Sequence, residues 1–130
     1  MKKKLLSVLL CLVMLFTVAC NNGTKEETVT DREGNEVTIP TNIEKIVSTA
    51  PSNTEILTAL GMGDKIVCMD TYSEGIEGVK EDVVKMDFTA PDAEEIIGLE
   101  PDIIIASGYN KAGSSDDPFK SLSDAGIPAV

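Results

Sequence analysis

The stretch from Lys45 to Gly61, which reads K-I-V-S-T-A-P-S-N-T-E-I-L-T-A-L-G, constrains the fold of this chain more than any other. The β-branched pair Ile46–Val47 favours a short strand that is buried on both faces. A polar turn follows, and apolar residues then recur at helical spacing until Gly61, a residue type that commonly ends helices. A strand that leads directly into a helix is the first half of a βαβ unit, so the stretch predicts an α/β fold.

The polar turn carries two separate hypotheses. Ser52 and Glu55 stand at the spacing of a capping box, in which Ser52 accepts from the N–H of Glu55 and Glu55 reaches back to the N–H of Ser52. Ligands of open α/β sheets bind outside the carboxyl ends of the strands. The loop Ser48–Asn53 is therefore expected to line a binding rim, although a capping role alone is the simpler interpretation of Ser52 and Glu55.

Strand and helix patterns alternate along the rest of the chain. Further parallel strands are predicted at Lys65–Met69, at Asp102–Ala106 and, as the beginning of a fourth strand, at Ile127–Val130. A helix should begin at Asp92, with Glu95 completing a D-x-x-E cap, and another should run from Pro118 to Ala125. The predicted fold class is α/β, with a Rossmann-like parallel sheet and flanking helices.

Some segments have weaker patterns. Val29 to Ile39 predicts a hairpin that turns at Arg32–Asn35. The acidic, glycine-containing segment Glu74–Asp82 is expected to form one short helix, after which the chain returns to the core at Val83 and Val84. In the helix that begins at Asp92, the expected buried face consists of Ile96, Ile97 and Leu99.

The first 19 residues have the pattern of a signal peptide, with a basic start at Lys2–Lys4 and an apolar segment, Leu5–Val18, that is short for a membrane span. Thr17-Val18-Ala19-Cys20 resembles a lipobox, which implies that Cys20 becomes the lipidated first residue of the mature protein, anchored in the membrane. An ordinary secretory leader is the alternative. The polar residues 20–28 are predicted to be a flexible tether.

Charge and composition exclude several classes of function. The net charge is −11, and three of the 11 basic residues but none of the 22 acidic ones lie in the leader, so the mature chain would carry about −14. This charge argues against nucleic acid as a partner. The chain has no histidine, no C-x-x-C pair, no G-x-S-x-G and no P-loop, so we expect neither an enzyme nor a resident cofactor or metal. Cys68 is interpreted as a small buried apolar residue.

Three separated segments resemble, in the same order, the cobalamin and iron-siderophore family of substrate-binding proteins of ABC importers, the class with a helical backbone. They are V-T-D-R-E-G-N-E-V-T-I-P, the stretch from Lys45 to Val67, and L-E-P-D-I-I-I-A-S. Members of this family are longer and clamp their ligand between two α/β lobes. The resemblance implies that residues 29–130 are a partial N-terminal lobe of a two-lobed periplasmic-binding-protein fold, truncated here.

The loops that follow the predicted strands should converge at one rim. These loops are Ser48–Asn53, Asp70–Ser73 and Ser107–Tyr109. Aromatic faces pack against large flat ligands and hydroxyls orient them, which makes Ser52, Ser107 and Tyr109 candidate ligand contacts. The resemblance to cobalamin binders adds Tyr72 and Phe88, where that family keeps aromatic ligand contacts. Core packing is an equally good interpretation of Phe88.

The resemblance also aligns Glu94 with a carboxylate that docks family members onto arginines of the importer's membrane subunits. Favourable interaction with the helix dipole is the alternative role for Glu94. The implied protein is a non-enzymatic, lipid-anchored extracytoplasmic receptor for iron-siderophore, cobalamin or heme-like chelates. A zinc- or manganese-type metal-ion receptor, which the lack of histidine disfavours, and a cargo-free scaffold or interaction lipoprotein remain alternatives.

Overall fold

The computed structural model describes residues 26–110 and 117–130. Its strands are β1 (Glu27–Thr30), β2 (Glu36–Ile39), β3 (Ile46–Ser48), β4 (Ile66–Asp70), β5 (Val84–Met86) and β6 (Ile103–Ile105). Its α-helices are α1 (Pro51–Ala59), α2 (Ala93–Gly98) and α3 (Lys120–Asp124). One-turn 3₁₀ helices occur at Gly63–Lys65, Thr71–Ser73 and Gly108–Asn110. The predictions for the leader, for Cys20 and for most of the tether concern residues outside the described ranges.

Strands β3 to β6 form a parallel sheet in the order β5-β4-β3-β6, while β1 and β2 form a separate antiparallel hairpin. The strand predicted first, β3, is central and pairs with both β4 and β6. Next to β6, Ala129 bridges Ile104 in parallel, and the N–H of Val130 donates to the carbonyl of Ile104 at 3.0 Å. The predicted α/β parallel sheet with flanking helices is confirmed.

Side chains that alternate along the strands build a core on each face of the sheet. On one face, Val47, Cys68 and Ile104 pack towards α2 and α3 together with Phe119 and Leu122. The other face packs towards α1, and its buried residues include Ile46, Leu57, Ile66 and Ile103. Burial on both faces explains why the strands read as continuous apolar runs.

The Asp102 side chain aligns the amino ends of β3 and β6. Its Oδ2 accepts hydrogen bonds from the N–H groups of Glu44, at 2.7 Å, and Lys45, at 2.9 Å. The N–H of Asp102 in turn donates to the carbonyl of Lys45 at 2.9 Å. This clamp holds the two strands in register, so that the loops that follow them leave the sheet at the same level.

The predicted capping box at the start of α1 is wrong. Helix α1 begins at Pro51, its N-cap is Ala50, and no side chain caps it. The N–H groups of Asn53 and Thr54 donate to the carbonyl of Ala50 instead. Proline suits the first helical position because its φ is already helical and its missing N–H would have no helical partner there. Ser52 therefore lies inside the first turn, where it is exposed.

The predicted end of α1 at Gly61 is confirmed. Gly61 has a φ of +74°. Its N–H donates to the carbonyl of Thr58 and the N–H of Met62 donates to that of Leu57, both at 2.9 Å. These are the two hydrogen bonds of a Schellman motif, which satisfies the last carbonyls of the helix and turns the chain towards β4.

The other two helices follow the sequence pattern in part. Asp92 caps α2 as predicted, because its Oδ1 accepts from the N–H groups of Glu94 and Glu95, both at 3.0 Å, but no hydrogen bond within the described residues joins the Glu95 carboxylate to the Asp92 N–H. Ile97, however, is 40% exposed. The short α2 turns one side to the sheet, and that side carries Ile96. Helix α3 begins at Lys120, two residues after the predicted start.

The remaining corrections concern short segments. Residues 74–82 form turns rather than the expected helix, with positive φ at Gly75 and Gly78. Val84, predicted only to return to the core together with Val83, begins the edge strand β5. The predicted hairpin is confirmed, but β1 begins at Glu27, so Glu27 and Thr28 are in a strand and not in the tether.

Candidate functional site

The carboxyl ends of the four parallel strands surround a cavity of about 600 Å³, here called the strand-end cavity. Its lining comes from the loops that follow β3, β4, β5 and β6, and from Pro118 before α3. The predicted convergence of these loops at one rim is confirmed. The position agrees with the general rule that open parallel sheets bind ligands beyond the carboxyl ends of their strands.

The Asn110 side chain joins three of the four loops. Its Oδ1 accepts hydrogen bonds from Thr49 Oγ1 at 2.8 Å, from Ser107 Oγ at 2.8 Å and from the Ser107 N–H at 3.2 Å. Its Nδ2 donates to the backbone carbonyl of Phe88 at 3.1 Å. Our sequence reasoning missed Asn110, although its place immediately after the S-G-Y turn could have drawn attention to it.

Three buried hydroxyl groups form a row of hydrogen bonds among the segments that lead into the cavity loops. The hydroxyls of Ser48 and Thr54 share a hydrogen bond of 2.8 Å, and those of Thr54 and Ser73 share one of 3.1 Å. All three side chains are fully buried. These hydrogen-bonded hydroxyl groups link the end of β3, helix α1 and the turn after β4. Polar groups that satisfy each other in this way hold neighbouring loops in one arrangement.

The three aromatic candidates have different environments. Tyr72 is 81% exposed and Tyr109 is 98% exposed, and both line the cavity. Phe88 is 2% exposed, and its ring lies 6.3 Å, centroid to centroid, from that of Phe119 in the core. The side chains of the two tyrosines are thus accessible to a ligand, whereas Phe88 lines the cavity but is almost completely buried. Ligand contact by Phe88 stays a prediction.

The two serine candidates lie in different places. Ser107 lines the strand-end cavity, whereas Ser52 lines a neighbouring groove of about 740 Å³ between α1, the hairpin and the loop after β6. Ser107 and Tyr109 line both the cavity and the groove. The structure therefore brings Tyr72, Phe88, Ser107 and Tyr109 together around one cavity and leaves Ser52 outside it.

Among the described residues that line the strand-end cavity, Asp70 carries a charge. Asp70 is 7% exposed and accepts from the Tyr72 N–H at 2.8 Å through Oδ1. Next to the rim, Asp87 Oδ1 accepts from the Thr89 hydroxyl at 2.7 Å and from its N–H at 2.9 Å. These bonds lower the pKa of Asp87 and orient Thr89, which lines the cavity.

Neither metal binding nor thiol chemistry finds support in the described ranges. Within residues 26–110 and 117–130, no group of three His, Cys, Asp or Glu side chains could hold a metal ion. Burial, with a further contribution from the negative charge of Glu95, raises the pKa of Cys68 to about 12. A thiol with such a pKa stays protonated near neutral pH and is therefore a poor nucleophile.

Glu94, the candidate docking residue, lies in the first turn of α2 and is exposed. Its backbone N–H is used by the Asp92 cap. The described part of the chain contains no ion pair that involves its carboxylate. This geometry leaves the Glu94 side chain accessible to a partner. It also suits the alternative role, in which the negative carboxylate interacts favourably with the positive end of the helix dipole.

The sequence profile of the family described as periplasmic binding protein matches residues 46–130. The chain belongs to this periplasmic binding protein family. The resemblance drawn from the sequence is thereby confirmed. The matched segment begins with the first residue of β3 and contains the whole parallel sheet together with the strand-end cavity. The β1–β2 hairpin precedes it.

Two curated proteins illustrate what this chain is similar to. The uncharacterised ABC transporter substrate-binding lipoprotein YvrC of Bacillus subtilis is 39% identical over 106 residues, which cover 79% of this chain and 32% of YvrC. A vitamin B12-binding protein of Yersinia pestis is 34% identical over 85 residues, or 65% of this chain and 29% of that protein. This chain spans about a third of the length of these relatives.

A solved structure supports the same assignment. The crystal structure of a possible iron-binding (periplasmic solute-binding) protein from Staphylococcus epidermidis matches with a TM-score of 0.60 and 36% sequence identity. The match covers 68% of this chain and 34% of that one.

Across residues 26–110 and 117–130, no helix is both long and apolar enough to cross a membrane.

Proposed function

We propose that this chain is a substrate-binding lobe of an extracytoplasmic ABC-importer receptor that captures an iron-siderophore, cobalamin or heme-like chelate. The receptor would hand its cargo to the permease without chemical change. The observation that carries this proposal is the strand-end cavity, with two exposed tyrosines, Tyr72 and Tyr109, at its rim. The similarity to a vitamin B12-binding protein and to a possible iron-binding protein supports this choice of cargo.

The cavity has physical properties that suit such a cargo. Its volume of about 600 Å³ lies within the range of roughly 300–1,000 Å³ that is usual for small-molecule sites. Exposed aromatic rings offer large apolar faces to a flat or bulky ligand, and their burial on binding is favourable. The hydrogen bonds of Asn110 hold the surrounding loops in place, which lowers the entropic cost of binding.

A thermal-shift titration tests the proposal. The full chain, purified in detergent, is titrated with ferric siderophores, cobalamin and heme, and its melting temperature is measured. A ligand at 100 times its Kd adds about 2.7 kcal/mol to the free energy of unfolding. We expect one class of chelate to raise the melting temperature and Tyr72→Ala to abolish the rise. Ile97→Ala, which alters an exposed apolar residue on α2, is the control.

The proposal fails if none of these chelates shifts the transition of a chain that melts cooperatively. It is also weakened if Tyr72→Ala and Ile97→Ala bind the same chelate with wild-type affinity, because ligand contact at the rim would then be absent. Tyr72→Phe separates the ring from its hydroxyl group. If the ring face makes the contact, this variant retains most of the affinity.

Docking onto the permease is proposed to involve Glu94. An exposed carboxylate can pair with arginine in a bidentate geometry, which contributes both affinity and orientation. Glu94→Gln should weaken binding to the importer's membrane subunits. Glu95→Gln is the matched control, since Glu95 is adjacent, exposed and in the same helical turn. Equal affinities of the two variants for the membrane subunits would leave Glu94 with a structural role.

Lipid anchoring is proposed on Cys20, which lies outside the described residues. The support is the T-V-A-C sequence after an apolar segment. If Cys20 carries the lipid, Cys20→Ser should release the protein from the membrane fraction, whereas Cys11→Ser should not. Mass spectrometry of the N-terminal peptide would identify the modification directly. An unmodified Cys20 in a membrane-bound protein would contradict the proposal.

A further inference from the structure

Asp70 presents a buried carboxylate to the strand-end cavity. It is the last residue of β4, and it is 7% exposed. Its Oδ1 is engaged by the N–H of Tyr72 at 2.8 Å. No donor within the described part of the chain reaches Oδ2.

A buried carboxylate oxygen without a donor is unfavourable, because that oxygen has lost its contact with water and has no hydrogen bond in its place. In native structures such atoms are satisfied by water or by a ligand. Since Asp70 lines the cavity, a bound molecule can supply the missing donor. Asp70 caps the 3₁₀ turn Thr71–Ser73, and this role uses only Oδ1 and leaves Oδ2 for a ligand.

The electrostatic surroundings define which donor is favoured. Among the described residues that line the strand-end cavity, Asp70 is the charged one, and none is lysine or arginine. The chain as a whole carries a net charge of −11. The charge that the described residues place at the cavity is therefore negative, which favours cations and disfavours anionic ligands.

The aromatic neighbours point in the same direction. Tyr72 and Tyr109 line the same cavity with largely exposed rings. A carboxylate combined with aromatic faces is an environment that recognises organic cations, because the ring faces attract positive charge. We propose that Asp70 makes this cavity selective for cargo that presents a cationic nitrogen and that it disfavours anionic chelates. This inference rests on the proposed function and narrows its cargo by charge.

Three iron chelates of different charge test the inference on the full chain. Ferrioxamine B carries a free ammonium group, its N-acetylated form lacks that charge, and ferric enterobactin is anionic. We expect ferrioxamine B to bind at least about tenfold more tightly than its acetylated form, and ferric enterobactin to bind most weakly. Quenching of tyrosine fluorescence or calorimetry measures the affinities. The comparison of ligands needs no protein variant.

A matched pair of variants gives the second test. Asp70→Asn keeps an oxygen for the Tyr72 N–H and removes the charge, so it should lower the affinity for ferrioxamine B about tenfold and leave that for the acetylated chelate unchanged. Asp64→Asn makes the same change before the opposite end of β4, at an exposed residue, and should alter neither affinity. The melting temperatures without ligand show whether both variants fold.

The outcomes separate this inference from the function on which it rests. If ferrioxamine B and its acetylated form bind equally, or if ferric enterobactin binds as tightly, charge selection is overturned while the receptor function stands. Unchanged affinity of a folded Asp70→Asn variant for ferrioxamine B has the same meaning. If no chelate, cobalamin or heme binds the full chain, the proposed function and the inference both fail.

Discussion

Asn110 acts as donor and acceptor at once, and this double role makes it central to the candidate site. An amide offers both functions on a short side chain, so one residue can join loops from Thr49, Phe88 and Ser107. The sequence could draw attention to the residue but not to its distant partners. Two of its partners, Thr49 and Phe88, lie 61 and 22 residues away in the chain, and only the order of the strands brings them together.

We predict that Asn110→Ala destabilises the chain by about 1–3 kcal/mol. The variant removes the acceptor for Thr49 and Ser107 and leaves the Phe88 carbonyl without its donor. Urea denaturation followed by circular dichroism measures the change. Asn42→Ala, the same substitution at an exposed position, should change the free energy of unfolding by less than about 0.5 kcal/mol. Equal effects of the two variants would contradict the role of Asn110.

At the scale of elements, the turn between α1 and β4 depends on a close approach of two backbone segments. A Cβ at Gly63 would lie 2.1 Å from the carbonyl oxygen of Gly78 and 3.0 Å from Thr58 Cγ2. Gly63 is buried and begins the 3₁₀ turn before β4. The sequence G-M-G-D predicts a turn here. Glycine is needed at position 63, however, because the Gly78 backbone lies so close to it.

We predict that Gly63→Ala destabilises the protein by at least about 1–3 kcal/mol, because backbone atoms have to move to admit the methyl group. Gly98→Ala is the matched control. A Cβ at Gly98, in the last turn of α2, meets nothing within 4 Å, so alanine should be neutral or stabilise by up to about 1 kcal/mol through helix propensity. The melting temperature of Gly63→Ala should thus fall while that of Gly98→Ala stays the same or rises, and a similar fall in both variants would refute this explanation.

At the scale of the whole molecule, titratable groups whose pKa differs from its usual value contribute to the pH dependence of stability. A hydrogen bond from the Asn35 side chain lowers the pKa of Asp31, Lys85 lowers that of Glu74, and Thr89 lowers that of Asp87. Burial raises the pKa of Cys68 to about 12, from the usual 9.0. The first three groups affect the acid side of the stability profile, and Cys68 affects the alkaline side.

We predict a stability plateau near neutral pH that declines on both sides. Below pH 4.5, the usual pKa of glutamate, the unfolded chain takes up protons before the folded one, so stability falls with falling pH. Above pH 9.0 the unfolded chain loses the Cys68 proton first, so stability falls with rising pH. Urea midpoints measured between pH 2.5 and pH 10 test both slopes.

Two variants test which residues cause the loss of stability at acid and at alkaline pH. Asp31→Asn should make the decline at acid pH shallower, and Cys68→Ala should make the decline above pH 9.0 shallower, whatever each does to the stability at pH 7. Slopes identical to wild type in both variants would show that other groups control the profile.

Local interactions explain what the sequence by itself determined. The β-branched runs of β3 and β6, the glycine that ends α1 and the Asp92 cap of α2 depend on residues within a few positions of each other. Their positions were therefore predictable, as was the α/β sheet with loops that converge beyond its carboxyl end. Local patterns failed at the start of α1, where Pro51 rather than Ser52 determines the first turn, and at residues 74–82, which form turns instead of the expected helix.

The tertiary structure decided burial and contacts between distant loops. Ile56, Leu60 and Ile97 have apolar side chains but remain exposed, while Phe88 is buried against Phe119. Strand β5 exists because an edge of the sheet is available beside β4. The roles of Asn110 and Asp70 likewise arise from the sheet order, which sets residues far apart in sequence around one cavity. Burial and hydrogen bonding between such residues depend on packing that no local pattern encodes.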